Sequence, residues 1–143
     1  AKKTTLSAPI YASDIRAEYV EVARASALRA RVEKYLDFSV KAFQDWTPPA
    51  PSGLLVANLP YGERIGAGVL EALYQDIGSV IKQQFSNWGL ALLVPNEAPI
   101  HLLKLKTDKE VALMNGALPV KLLVRRPSRK TRPIGSCNPP TIR

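Results

Sequence analysis

The chain predicts an α/β fold, a three-layer sandwich around a mostly parallel sheet that ends in an antiparallel pair. Three observations predict it. Short apolar segments alternate with two amphipathic helical stretches, the pattern of parallel strands joined by helical crossovers. The runs "LLVA" and "LALLV" are apolar without interruption, as strands covered on both faces are. The run "VALMNGALPVKLLVRR" sets Asn115-Gly116, a strong turn dipeptide, between two strand-like halves.

Residues 9–15, "PIYASDI", read as a short strand ending near Asp14. Residues 16–32 have helical spacing, with Tyr19, Ala23 and Ala27 four apart and Val20 and Leu28 beside them. Asp14 or Ser13 suits the cap of that helix. Residues 36–41, "LDFSVK", alternate like a strand at or near a sheet edge. "AFQDW" follows, and then "TPPAPSG", a loop fixed by three prolines and Gly53. Residues 54–57 are the next strand. Residues 68–85 form a helix whose stripe is Val69, Leu73, Ile77, Val80, Ile81 and Phe85. Residues 90–94 are a strand, and 97–106 are either a short helix or a turn and strand. From Pro127 onward no packing pattern remains.

At 143 residues and 46% apolar content the chain is long enough to bury a core as a single domain. No apolar run approaches the roughly 20 residues that span a bilayer, and "AKKTTLSAPIYASD" lacks the apolar region of a secretory signal. Cys137 is the only cysteine and cannot form an internal disulfide. These features favour the cytoplasm and speak against a membrane partner. The net charge of +8 is uneven: residues 125–143 carry six basic residues and no acid, while the rest carries 14 basic and 12 acidic residues. Residues 1–124 are therefore expected to be the folded body and 125–143 a basic, Pro-rich tail. Such a tail either binds a phosphate backbone without reading sequence or is a solvated end.

Ligands of open parallel sheets bind beyond the carboxyl ends of the strands. Three such ends carry polar groups: Asp14, Asp45, and Asn58-Leu59-Pro60-Tyr61. The Asn58 side-chain oxygen accepts a hydrogen bond, and the Leu59 carbonyl is not committed to helix or sheet. Pro60 fixes its own φ and holds Leu59 extended, so two acceptors can point one way. An exocyclic amine has two N–H groups to give them. Tyr61 offers a flat face to a base taken out of its stack. A strand-terminating turn with a buried tyrosine fits the same four residues equally well. Asp14 can accept both hydroxyls of a ribose, and Asp45 can accept from an adenine amine; helix capping and turn formation are the plainer uses of each. His101 lies beside Leu102 and Leu103 and reads as a packed or surface residue. One His and one Cys make no metal site.

Together these residues resemble a known family. Residues 9–124 are similar to the catalytic domain of the THUMP-containing ribosomal RNA methyltransferases that act on the exocyclic N2 amine of guanine, whose genes were often labelled N6-adenine DNA methylases. "GLLVANLPYGERIG" resembles the family's Asn-Pro-Pro-Tyr-Gly-Glu-Arg signature, and "KEVALMNGALPVKLL" its terminal hairpin. The resemblance implies a Rossmann-like class I methyltransferase fold with S-adenosylmethionine as methyl donor. Asp14 would bind the ribose, Ile15 would lie against the adenine, and Asp45 would meet the adenine amine. Asn58, Leu59, Pro60 and Tyr61 would hold the target guanine of ribosomal RNA. No metal is implied.

The sequence departs from the family in two ways. Leu59 stands where the family has a proline, a form typical of ribosomal RNA adenine dimethyltransferases, and it is expected to loosen the turn. Residues 1–8 also hold no Gly-rich loop, and the family's first strand, which lies mid-sheet between the strands at 9–15 and 54–57, is not in this chain. Weak or absent cofactor binding by this chain alone is therefore expected, with a homo-oligomer filling the missing strand. A catalytically inactive remnant, with or without RNA binding, and an adenine-N6 methyltransferase are the alternatives.

Overall fold

A computed structural model describes residues 6–60 and 65–128. The strands and helices alternate as the sequence predicts, but the strands form two sheets rather than one. The chain divides into two compact units, 1–47 and 48–143.

In the first unit, β1 (Ile10–Asp14) and β2 (Leu36–Val40) pair in parallel, with Ile10 opposite Leu36 and Asp14 opposite Val40. The crossover between them is α1 (Ala17–Arg29). Only Val20 and Ala27 of α1 are buried, while Tyr19, Ala23 and Leu28 of the expected stripe are exposed. Val20 and Ala27 are two turns apart on one side of the helix, so the contact is a narrow seam. The helix ends in a Schellman motif: Val32 N–H donates to Ala27 O at 3.0 Å and Arg31 N–H to Leu28 O at 3.0 Å. Arg31 holds the left-handed position there with φ 57°, a place usually given to glycine. Neither Ser13 nor Asp14 caps the helix. Its N-cap is Arg16, which makes no side-chain cap bond, and Asp14 Oδ1 instead accepts the Arg16 N–H at 2.8 Å. The short side chain closes a local turn two residues on before it can reach the helix.

The second unit is a four-stranded sheet in the order β3-β4-β6-β5. Its members are β3 (Leu54–Asn58), β4 (Gly89–Pro95), β5 (Lys109–Asn115) and β6 (Leu118–Arg125). β3 and β4 are parallel; β4–β6 and β5–β6 are antiparallel. Helix α2 (Ala67–Gln84) connects β3 to β4. Leu70, Tyr74, Ile77, Ile81 and Phe85 are buried with Leu90, Leu92, Val94, Leu103, Val120 and Leu123, and these residues make the core. The expected stripe of α2 was displaced by about one column. Val69 is exposed, whereas Leu70 and Tyr74 are buried. Residues 97–106 resolve into a 3-10 turn at Ile100–Leu103, whose backbone lies against Gly78.

Two further expectations change. β3 is not covered on both faces, since Leu54 is 62% and Val56 68% exposed. Alternation along the strand puts these two on one side with Asn58, and Leu55 and Ala57 on the other. The hairpin turns on Gly116-Ala117, because Asn115 still pairs with Leu118. Only Gly116 has positive φ (62°) there, the signature of a type II′ turn with glycine first. No helix among the described residues is long and apolar enough to cross a membrane.

Candidate active site

Of the sequence-predicted site residues, Asp14, Ile15, Asn58, Leu59 and Pro60 lie at strand ends, whereas Asp45 lies in a 3-10 turn beyond the end of β2. In the first unit the parallel pairing of β1 and β2 sets their carboxyl ends side by side. The ladder continues past β2, where Lys41 N–H donates to Asp14 O at 3.0 Å. Asp14 is half-buried, and Oδ1 is engaged by Arg16 N–H. Ile15 is 69% exposed, an apolar side chain standing in the open at the strand end. Asp45 closes a 3-10 turn (Phe43–Asp45), and its exposed carboxylate has no hydrogen bond among the described residues.

The sequence reading missed what holds Asp45 there. Trp46, the next residue, donates its indole N–H to Ser13 Oγ at 2.6 Å. Its ring meets Tyr11 edge-on at 6.2 Å, and the Lys41 ammonium sits 4.7 Å from its centre. Tyr11 and Ser13 are two apart on β1 and so share one face of the strand. The available signal was a tryptophan directly after the acid, with a polar residue alternating on β1. Nearby, Arg16 bonds Glu18 at 2.9 Å and lies 4.7 Å from the Tyr19 ring centre. The bond to Glu18 raises the Arg16 pKa. Glu18 is lowered, first by its own backbone N–H and then by Arg16.

In the second unit Asn58 ends β3 and is exposed, with no side-chain hydrogen bond among the described residues. Leu59 is buried at 4% exposure, and its N–H donates to Leu93 O at 2.9 Å, one rung beyond the β3–β4 ladder. The turn is therefore not loosened by leucine at this place. Leucine supplies a backbone donor that proline lacks, and the sheet uses it. Pro60 O accepts from the Tyr74 hydroxyl at 3.3 Å. The Leu59 carbonyl has no partner among the described residues. Tyr61 lies outside the described residues. Asn58, Leu59 and Pro60 are thus one fixed corner, while Asp14, Ile15 and Asp45 are a separate cluster in the other unit. Among the described residues no three His, Cys, Asp or Glu side chains gather into a metal-binding group.

The family model of the RMKL-like methyltransferase domain matches residues 1–123. The chain is 39% identical over 117 residues to the ribosomal RNA large subunit methyltransferase K/L of Shewanella frigidimarina, covering 81% of this chain and 16% of that protein. It therefore spans about one sixth of the length of that relative. A possible methylase from Clostridium difficile 630 superposes with a TM-score of 0.80 at 27% identity, over 90% of this chain and 34% of that one. SMU.472, a candidate methyltransferase complexed with SAH, gives 0.77 at 27% identity, over 84% and 32%. The fold is accordingly Rossmann-like, and the chain belongs to the RMKL-like methyltransferase domain family.

Proposed function

We propose that the chain is part of an S-adenosylmethionine-dependent methyltransferase acting on the exocyclic N2 amine of a guanine in ribosomal RNA. The observation that carries the reading is the Asn58-Leu59 corner. Two acceptors, Asn58 Oδ1 and Leu59 O, have no partner among the described residues, and their backbone is held by Leu93 and Tyr74. An amine with two N–H groups fits two such acceptors. They also favour the positive charge that grows on its nitrogen as a methyl group is attached. The family match and the relative named as a ribosomal RNA methyltransferase support the substrate class.

The donor set of the first unit fits the nucleoside half of the cofactor. Asp14 retains an oxygen for ribose hydroxyls, Ile15 presents an open apolar face for adenine, and Asp45 has a free carboxylate for the adenine amine. When bound, the cofactor supplies an electrophilic methyl group. The chain's own part is to hold the amine in line and to accept its two N–H groups, one of whose protons leaves as the methyl group is attached. The solved neighbour complexed with SAH supports this cofactor.

The test is methyl transfer to unmethylated ribosomal RNA by the protein that carries this chain, with the modified nucleoside identified by mass. N2-methylguanosine is expected, and Asn58→Ala should reduce the rate by about 100-fold or more. N6-methyladenosine as product would replace guanine by adenine. Full activity of Asn58→Ala would remove the corner from the mechanism.

A further inference from the structure

We infer that Tyr74 is a positioning residue that fixes the Leu59–Pro60 segment and with it the direction of the Leu59 carbonyl offered to an amine; the inference rests on the reading of Asn58 and Leu59 as amine acceptors. Three acceptors follow one another at the end of β3: Asn58 Oδ1, Leu59 O and Pro60 O. Tyr74 lies on the second turn of α2 and is fully buried at 0% exposure. A buried phenol must give its proton to an acceptor, and this one reaches Pro60 O at 3.3 Å.

That bond has two effects. It satisfies the buried hydroxyl by engaging one of the two lone pairs of Pro60 O. It also fixes the Leu59–Pro60 segment from the helix side, while Leu59 N–H is fixed by Leu93 O at 2.9 Å from the sheet side. Pro60 has no freedom in φ. The direction of the Leu59 carbonyl is then set by groups on two rigid elements. Without the hydroxyl, the segment is held from the sheet side alone and the Leu59 carbonyl can turn.

The experiment is an NMR titration of the isotopically labelled chain with guanosine monophosphate and with inosine monophosphate, which lacks the N2 amine. The wild-type chain is expected to bind the guanosine nucleotide about tenfold more tightly, the difference of one well-made hydrogen bond or slightly more. Tyr74→Phe keeps the ring and removes only the hydroxyl. It should bring the ratio close to one, shift the Pro60 carbonyl carbon resonance, and leave the Leu59 amide as protected from exchange as before. A purely structural loss would instead weaken both nucleotides alike. Should Tyr74→Phe not fold, 3-fluorotyrosine incorporated at position 74 keeps the shape while making the hydroxyl a stronger donor, and the ratio must then rise. A wild-type preference that survives Tyr74→Phe, or that fails to rise with 3-fluorotyrosine, overturns the role of Tyr74 alone. No preference in the wild type overturns the amine-acceptor reading, and this role with it.

Discussion

Gly78 on α2 lies so close to Leu103 that a Cβ on the helix would overlap the Leu103 carbonyl. The turn at Ile100–Leu103 therefore rests directly on helical backbone. Gly78→Ala should cost about 2 kcal/mol, because backbone must move to admit one methyl group. Gly68 is the control: it is on the same helix with open space around its Cβ position, and Gly68→Ala should stabilise by about 0.5–1 kcal/mol. Urea unfolding midpoints of the two variants decide the matter; equal shifts would show that the contact is not tight.

Arg31 holds a left-handed position at φ 57°. An L-residue there carries a cost of about 1 kcal/mol that glycine avoids. Arg31→Gly should accordingly raise the stability of the first unit by about that amount, and Arg31→Val should lower it. Thermal unfolding followed through Trp46 fluorescence measures both. A loss of stability in the glycine variant would mean that the arginine side chain contributes more than its backbone costs.

Arg125 closes β6 and ties it to the end of α2, its guanidinium donating to Phe85 O at 2.9 Å and Trp88 O at 3.2 Å. Burial lowers its pKa and Asp108 opposes that shift, yet arginine stays charged throughout the neutral range. A cation at a helix C-terminus also gains from the macrodipole. Arg125→Met should cost about 2 kcal/mol by removing both bonds and leaving the Trp88 carbonyl without this donor, while Phe85 O keeps the Trp88 N–H at 3.0 Å. Arg125→Lys, with a point charge in place of a fork, should fall between. Trp88 emission during urea unfolding reads the effect at the contact itself.

Among the described residues β1 pairs only with β2, and β3 only with β4. The free β3 edge stands beside the exposed apolar face of Leu54 and Val56. Edges of this kind recruit further strands. The chain alone should self-associate, with a sedimentation coefficient that rises over the micromolar range, and Val56→Lys should return it to a monomer. A concentration-independent monomer would show that the edge is protected.

Element types were legible in the sequence because they depend on periodicity, and the alternation of strand and helix survived intact. What failed was the choice of face. In α2 the column through Leu70 and Tyr74 is buried and Val69 is not, because a tyrosine with a hydroxyl to satisfy and a helix lying against Leu103 fixed the rotation. Hydropathy alone ranks valine above tyrosine and cannot see either cause. The hairpin is a similar case, since Asn115-Gly116 marks a turn but strand pairing decides which two residues form it. At the strand ends, Asn58 and Leu59 were legible as candidates from residue chemistry, and the structure gives them two unpartnered acceptors among the described residues. The supports Trp46, Ser13, Leu93 and Tyr74 were not, because each acts across the chain at a distance that no local pattern records.

The bond from Leu59 N–H to Leu93 O has a thermodynamic consequence for any nucleic acid that reaches this corner. Of the two open acceptors, the Leu59 carbonyl rides on an extended sheet rung and needs no ordering when a ligand arrives, whereas the exposed Asn58 side chain has only its own torsions to settle, so little conformational entropy is lost on the protein side. Under the proposed function the burden of reorganisation would fall on the RNA, which would have to unstack its base before the amine could be held. Recognition would be governed by how easily a nucleotide leaves its helix, so bulged, mismatched or terminal guanines should be taken before those in continuous duplex.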